Sequence, residues 1–284
     1  MKRIVVIGGG ISGMSAAQAA WELGGTIPGG LEVVVLERER EVGGKARSQR
    51  DGDWLFESGP SSVPGTEVAF DRMVRAAKLD AQRVASAPES ARRFIVRGGK
   101  LRELAATPLG LVKNGVLSPL GALRLAGERF VAGRADARDE SVYDFARRRL
   151  GSEAAERLAR PLVNGVWAGD PHKLSLPAAF PRLLEFETRF GGLIRGVREI
   201  ARMPQREREE AGTLSGPSQH TTLRDGLQSL PRALAAAGNF PVRCGVSARA
   251  VVRAPKEKGG WFVHADGGEP LHAEAVVLAG EAWA

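Results

Sequence analysis

Short apolar runs set between glycines organise this chain. Ile4–Ile7 is a continuous run of mostly β-branched residues, the pattern of a strand buried on both faces of a parallel sheet. It stops at Gly8-Gly9-Gly10, and the alanine-rich stretch from Ile11 to Leu23, with Met14, Ala16, Ala17, Ala19 and Ala20, predicts a helix. A second apolar run, Leu31–Leu36, ends on Glu37. Further on, Trp54–Phe56 reads as a short strand, and Glu67–Lys78 as a helix capped by Thr66. Ala91–Arg97 and Lys100–Arg102 flank Gly98-Gly99 as a hairpin. From Ser118 to Phe190 the period is helical, with helices expected over Pro119–Val131, Ser141–Leu150, Ser152–Val163 and Pro177–Phe190. Residues 191–219 mix charges and then turn to Gly, Ser, Pro and Gln, which predicts a solvated helix end and a loose surface loop. A helix over Leu234–Ala237 and strands over Val246–Val252, Trp261–Val263 and Ala275–Ala279 complete the pattern. The shift in composition divides the chain into an α/β segment 1–80, a mostly helical insertion 81–219 and a second α/β segment 220–284.

The glycines carry the first chemistry. Gly8, Gly10 and Gly13 fall on G-x-G-x-x-G, which turns tightly, lets a diphosphate approach the backbone and packs the helix on the strand. The amino end of the following helix is then expected to point its unpaired N–H groups and the positive end of its dipole at the phosphates. Alone, such a fingerprint is weak. Here Glu37 follows Gly13 by 24 residues at the end of the second apolar run, where a carboxylate accepts hydrogen bonds from a ribose. After Arg38 comes a second pair, Gly43-Gly44-Lys45, which a simple nicotinamide fold does not need.

Bulk properties narrow the class. The 284 residues are 43% hydrophobic and 26% charged, as expected of a globular protein of one or two domains. The single cysteine, Cys244, permits no disulfide within the chain, and His172, His220, His264 and His272 lack metal-ligand spacing. The apolar run after Lys2-Arg3 is shorter than a signal peptide requires, so this amino terminus is expected to stay and fold. Of the net charge of +8, residues 83–134 hold ten Lys and Arg against three Glu. The proline-broken apolar stretch Leu104–Leu120 inside that window reads equally as a buried helix pair with a solvated rim or as a surface resting on an anionic bilayer. No nucleic-acid fold accompanies the charge.

The run from Glu37 to Gly43-Gly44-Lys45-Ala46-Arg47 resembles the flavoprotein superfamily of amine oxidases, carotenoid desaturases and protoporphyrinogen oxidases. Within it, Phe56-Glu57-Ser58-Gly59-Pro60, Trp167-Ala168-Gly169-Asp170-Pro171, Ala178-Ala179-Phe180-Pro181 and Gly226-Leu227-Gln228-Ser229-Leu230-Pro231 are similar to the protoporphyrinogen oxidases. The resemblance implies an α/β fold: a Rossmann-like FAD-binding domain of the GR2, amine-oxidase type, with a mostly helical inserted domain for substrate and membrane. It implies FAD on Gly8, Gly9, Gly10, Ile11, Ser12, Gly13, Glu37, Arg38, Gly43, Gly44 and Lys45, with Gly59, Pro60, Ser61 and Ser62 along the flavin and Val246 at the adenine edge. Arg93 would grip a propionate of the substrate, and Val166, Trp167, Ala168 and Gly169 would wall the macrocycle. The implied reaction converts protoporphyrinogen IX to protoporphyrin IX, hydride passing to the flavin and dioxygen or another acceptor taking the electrons onward.

The family carries a further carboxyl-terminal segment, so the resemblance also implies a fragment, a split enzyme with a second polypeptide, or an inactive remnant. Coproporphyrinogen III oxidation, another flavin amine oxidase or desaturase, and a porphyrin- or membrane-binding module stay open as alternatives. A cytoplasmic location, peripheral on the inner face of the cytoplasmic membrane, is the matching expectation.

Overall fold

A computed structural model describes residues 1–65, 67–134, 139–204 and 220–282. The cap expected at Thr66 and the loop expected over 205–219 lie outside the described residues. In chain order the first segment holds β1 (Lys2–Ile7), α1 (Ile11–Gly24), β2 (Leu31–Glu37), β3 (Ser48–Asp51), β4 (Trp54–Glu57), β5 (Val63–Pro64), α2 (Val68–Ala76) and β6 (Arg83–Ala85). The middle holds β7 (Phe94–Arg97), β8 (Lys100–Glu103), α3 (Pro108–Lys113), α4 (Pro119–Ala126), α5 (Val142–Leu150), α6 (Ser152–Ala154), α7 (Arg160–Trp167), α8 (Leu176–Ala179), α9 (Pro181–Phe190) and α10 (Leu193–Arg202). The last holds β9 (His220–Leu223), α11 (Ser229–Ala236), β10 (Val242–Cys244), β11 (Ala248–Arg253), β12 (Trp261–Ala265), β13 (Leu271–Ala273) and β14 (Ala275–Leu278). Two compact units result, one of residues Met1–Ser86 with Ser218–Ala284, the other Ala87–Pro217.

The first unit is built on a parallel sheet in the order β10-β2-β1-β14. Alternation along its central strands decides what each face meets. Val6, Val33 and Val35 pack with Met14 and Ala17 of α1, Val74 of α2 and Leu230 and Leu234 of α11. Val5, Val34 and Leu36 turn the other way, onto Val263 and Ala273 of the antiparallel sheet β11-β12-β13. Both faces of β1 are therefore buried, as its unbroken apolar run predicts. The last strand group starts later than its sequence pattern suggests. Gly245 and Val246 donate to the carbonyls of Glu39 (2.8 Å) and Glu37 (2.9 Å), prolonging the alignment of β10 with β2, so β11 begins only at Ala248.

In the second unit, β7 and β8 close on Gly98 and Gly99, both at positive φ (56° and 69°), as a two-residue hairpin turn requires. Thr107, Ser118 and Ser141 cap α3, α4 and α5, each hydroxyl accepting an N–H three residues on. The helix expected over Pro119–Val131 is shorter: α4 ends at Ala126 and a tight 3-10 turn, Gly127–Phe130, follows. The helix expected over Ser152–Val163 is longer, running on to Trp167. It contains Pro161, which has no N–H and would clash with the carbonyl four residues back. A π turn over Ala155–Ala159 widens the helix immediately before it. Pro181 has the opposite effect on Pro177–Phe190, which is split into α8 and α9 at Phe180.

An ion network is buried in the same unit. Arg149 and Glu128 are both fully buried, and their charges are matched through hydrogen bonds with one another, with Glu187 and with backbone. Glu128 also accepts from the N–H groups of Leu193 (2.8 Å) and Ile194 (3.0 Å), capping α10 from outside the helix. No described helix is long and apolar enough to cross a membrane.

Candidate functional site

The turn from β1 to α1 is a cradle of bare backbone. Gly8 donates to the Leu36 carbonyl at 2.8 Å, holding the turn on β2. A Cβ on Gly13 would sit 1.8 Å from the Gly8 carbonyl oxygen, so only glycine lets helix and strand meet there. Gly10 caps α1 without a side chain, and the first turn carries no acid. The N–H groups of Ile11, Ser12 and Gly13 are thus left for an anion, with the positive end of the helix dipole behind them.

Glu37 closes one side. It is 7% exposed, and its carboxylate accepts from Gly9 N at 2.6 Å and Glu39 N at 2.8 Å. Each carboxylate oxygen keeps a second lone pair, enough to accept ribose hydroxyls. Arg38 beside it is exposed and pairs with Glu39 at 3.4 Å.

The second glycine turn closes another side. Gly43 N donates to Gly9 O at 2.9 Å, and Gly10 and Gly43 form a parallel bridge. Gly44, at φ +58°, brings its backbone so close that a Cβ would lie 3.1 Å from Gly10 Cα. Lys45 follows, its Nζ 3.2 Å from Glu281. Gln228, 2% exposed, braces this turn by donating to Val42 O (3.0 Å) and accepting from Ser48 N (3.1 Å). Nothing in its local sequence discloses that role. Gly59 lies against the Lys45 carbonyl, and Ser58 N donates to Arg47 O at 2.8 Å, so the exposed loop Gly59-Pro60-Ser61 stays with the turn. Ser62 meets His220 Nδ1 at 3.0 Å. The pairing of β5 with β9 creates this contact, and no local feature around His220 signals it. Val246 sits behind Glu37, its N–H on the Glu37 carbonyl and its side chain against the Val34–Leu36 face.

The residues expected at the dinucleotide all belong to one unit, which brings Gly8, Gly9, Gly10, Gly13, Glu37, Gly43 and Gly44 into contact with one another. The donor set fits a dinucleotide: open amides and a cation for the diphosphate, a carboxylate for the ribose, and glycine wherever backbone must approach.

The residues expected at the substrate lie in the second unit. Arg92 is taken by Glu103 in a two-point pair (2.8 and 2.9 Å), which holds that carboxyl below its ordinary range. Arg97 donates to the carbonyls of Gly115 (2.5 Å) and Val116 (2.7 Å). Arg93 is exposed and reaches only carbonyls of its own turn, Ser90 at 2.6 Å and Arg92 at 3.4 Å. Among the described residues no carboxylate neutralises it.

On α7, Leu162 and Val166 stand one turn apart with Trp167 beside them, 51%, 61% and 48% exposed. Leu162 was not foreseen; its four-residue spacing from Val166 was the available signal. Trp167 meets Phe180 edge to face at 6.2 Å. Ala168, at φ +50°, ends the helix, and Gly169-Asp170 leads away. That exit is pinned: Tyr143 N donates to Pro171 O at 3.0 Å, its ring lies 3.9 Å from that of His172, and its hydroxyl meets Glu156 at 2.9 Å. Hydrogen bonds from Tyr143 and then Arg160 hold the Glu156 carboxyl below its ordinary range.

Comparison with known proteins gives consistent matches. Residues 11–284 match the family described as flavin containing amine oxidoreductase. The chain is 34% identical over 240 residues to protoporphyrinogen oxidase 1, chloroplastic, of Arabidopsis thaliana, covering 82% of this chain and 43% of that protein. It is 30% identical over 239 residues to coproporphyrinogen III oxidase of Bacillus subtilis, covering 81% of this chain and 49% of that protein. The chain therefore spans less than half the length of these relatives. A solved structure, a provisionally assigned protoporphyrinogen oxidase from Exiguobacterium sp. 255-15, superposes with a TM-score of 0.73 at 24% identity, covering 98% of this chain and 59% of that one. At that identity the likeness speaks for the fold, which is the Rossmann-like α/β fold expected from the glycine pattern.

Proposed function

The chain belongs to the family of flavin-containing amine oxidoreductases, and from that premise we propose that it binds FAD and a porphyrinogen for oxidation of the macrocycle to a porphyrin. Protoporphyrinogen IX is the proposed substrate. FAD is the cofactor that goes with family membership, and when bound it supplies the hydride acceptor. The chain's own residues do the rest. The amides of Ile11, Ser12 and Gly13 with Lys45 hold the diphosphate, and Glu37 holds a ribose. Leu162, Val166 and Trp167 give a flat apolar molecule a surface that excludes water, and the Arg93 guanidinium takes a propionate, which its planar fork suits. The observation that carries the reading is this outward apolar stripe, in a chain that also has a backbone cradle fitted to a dinucleotide.

Dioxygen or another acceptor would take the electrons onward from the reduced cofactor. A second polypeptide, or a further segment, supplies what the relatives have beyond the matched half. We propose a cytoplasmic location at the inner face of the membrane; the outward Leu109, Leu120, Leu123 and Phe130 within a basic stretch support the membrane contact.

The test is flavin loading followed by porphyrin fluorescence. The chain, alone and with any adjacent encoded partner, is given FAD and then protoporphyrinogen IX or coproporphyrinogen III in air. A yellow protein that releases protoporphyrin fluorescence supports the reading. Fluorescence from coproporphyrinogen III alone reassigns the substrate, and a colourless protein refutes the proposal.

A further inference from the structure

We propose that Glu281 and Lys45 form an ion-pair strap across the mouth of the glycine cradle, and that Glu281 lowers the affinity for the dinucleotide by competing with its diphosphate for Lys45. This rests on the FAD reading above and adds a residue that the glycine motifs do not contain.

The strap is delivered from two sides. Ala279 N donates to Ile7 O at 2.8 Å, carrying the line of β14 one residue beyond the strand. The Ala279 carbonyl and Gly280 N then lie directly against Gly8, 2.8 and 3.3 Å from where its Cβ would be. Glu281 follows, which sets its carboxylate beside the cradle. From the other side, Gly44 packs on Gly10 and presents Lys45. The two charges meet at 3.2 Å, with Lys45 71% and Glu281 40% exposed.

Among the described residues, Glu37, a second carboxylate at the cradle, is already committed. Glu37 is buried on the amides of Gly9 and Glu39, and the first turn of α1 has no acid. Glu281 is therefore a carboxylate that an incoming diphosphate meets paired with an exposed ammonium. That ammonium is a mobile point charge with three donors on a flexible stem. It can swing from carboxylate to phosphate, and while Glu281 holds it the cradle is less positive.

The test is titration of the whole chain with FAD, followed by flavin fluorescence, at low and at near-physiological ionic strength. Glu281→Gln should tighten binding roughly 2- to 5-fold at low salt, the range of an exposed ion pair, and the gain should shrink as salt screens it. Lys45→Met should weaken binding, and in that background Glu281→Gln should change nothing. Lys45→Gln is the second variant should the methionine chain fold poorly. Unchanged or weaker FAD binding by Glu281→Gln, or the same gain with and without Lys45, overturns the strap. Failure of the unsubstituted chain to take up FAD overturns the flavin reading itself, and is told apart because no variant then shows a binding curve.

Discussion

A Cβ at Gly13 would stand 1.8 Å from a carbonyl oxygen that the β1 to α1 turn cannot move. Gly13→Ala must therefore push α1 off β1, and FAD uptake should fall below detection in a titration that the unsubstituted chain saturates. Arg93 makes the opposite kind of prediction, since its exposed guanidinium bonds only the carbonyls of its own turn, Ser90 and Arg92. Arg93→Met should leave thermal stability unchanged and raise KM for the porphyrinogen about 10- to 100-fold, the loss of a charge-assisted hydrogen bond of roughly 1.5–3 kcal/mol. Steady-state kinetics decide it, and an unchanged KM removes Arg93 from the substrate site. Residues such as Gly8, Gly13 and Glu37 were legible in the sequence because their geometry is local: strand, turn and helix are contiguous. Gln228 and His220 were not. Their partners Val42 and Ser62 lie 186 and 158 residues away, and only the folding of the last segment onto the first brings them together.

Among the elements, the opening of α5 at Ser141 and the hairpin turn at Gly98-Gly99 were legible for the same reason, since both act on their neighbours. Proline was ambiguous. Pro161 sits inside a helix because a π turn absorbs it, whereas Pro181 divides one, and the local sequence around the two does not tell them apart. Nor did periodicity reveal the ion network that holds α5, α9 and α10 together. Arg149→Met leaves Glu128 buried with its main cation gone, a cost of about 3–5 kcal/mol, and chemical denaturation should show the helical unit destabilised by that amount. The network also predicts a pH dependence. Burial raises the Glu187 carboxyl, but hydrogen bonds from Arg148 and charge from Arg148 and Arg149 outweigh it and bring the group below its ordinary range. Its contribution is therefore complete above the unfolded-state value of about 4.3 and lost as pH falls through the lower folded value. Acid titration followed by circular dichroism should show the helical unit melting below about pH 4, with Glu187→Gln flattening that step.

For the whole molecule, the charge excess of residues 83–134 looks larger in sequence than it is in space. Arg83 is matched by Asp71, Arg92 by Glu103, and Arg124 donates to two carbonyls. The excess is thus partly spent inside the fold, and its surface role depends on what stands beside it. Leu109, Leu120, Leu123 and Phe130 are 65–80% exposed, while the inward faces of α3 and α4 are filled by Leu111 and Ala122. Helices apolar on both sides have an outward face that water does not suit. A bilayer surface suits it: burying a leucine is worth about 1.5–3 kcal/mol, and each unspent cation adds about 1 kcal/mol over anionic headgroups. Co-sedimentation should then show the chain bound to anionic vesicles, weakly or not at all to neutral ones, and released by salt. Leu120→Ser with Leu123→Ser should abolish binding to both. Equal binding to neutral and anionic vesicles would mean that the cations play no part. No binding to either would overturn the bilayer reading and leave these leucines to be covered by protein.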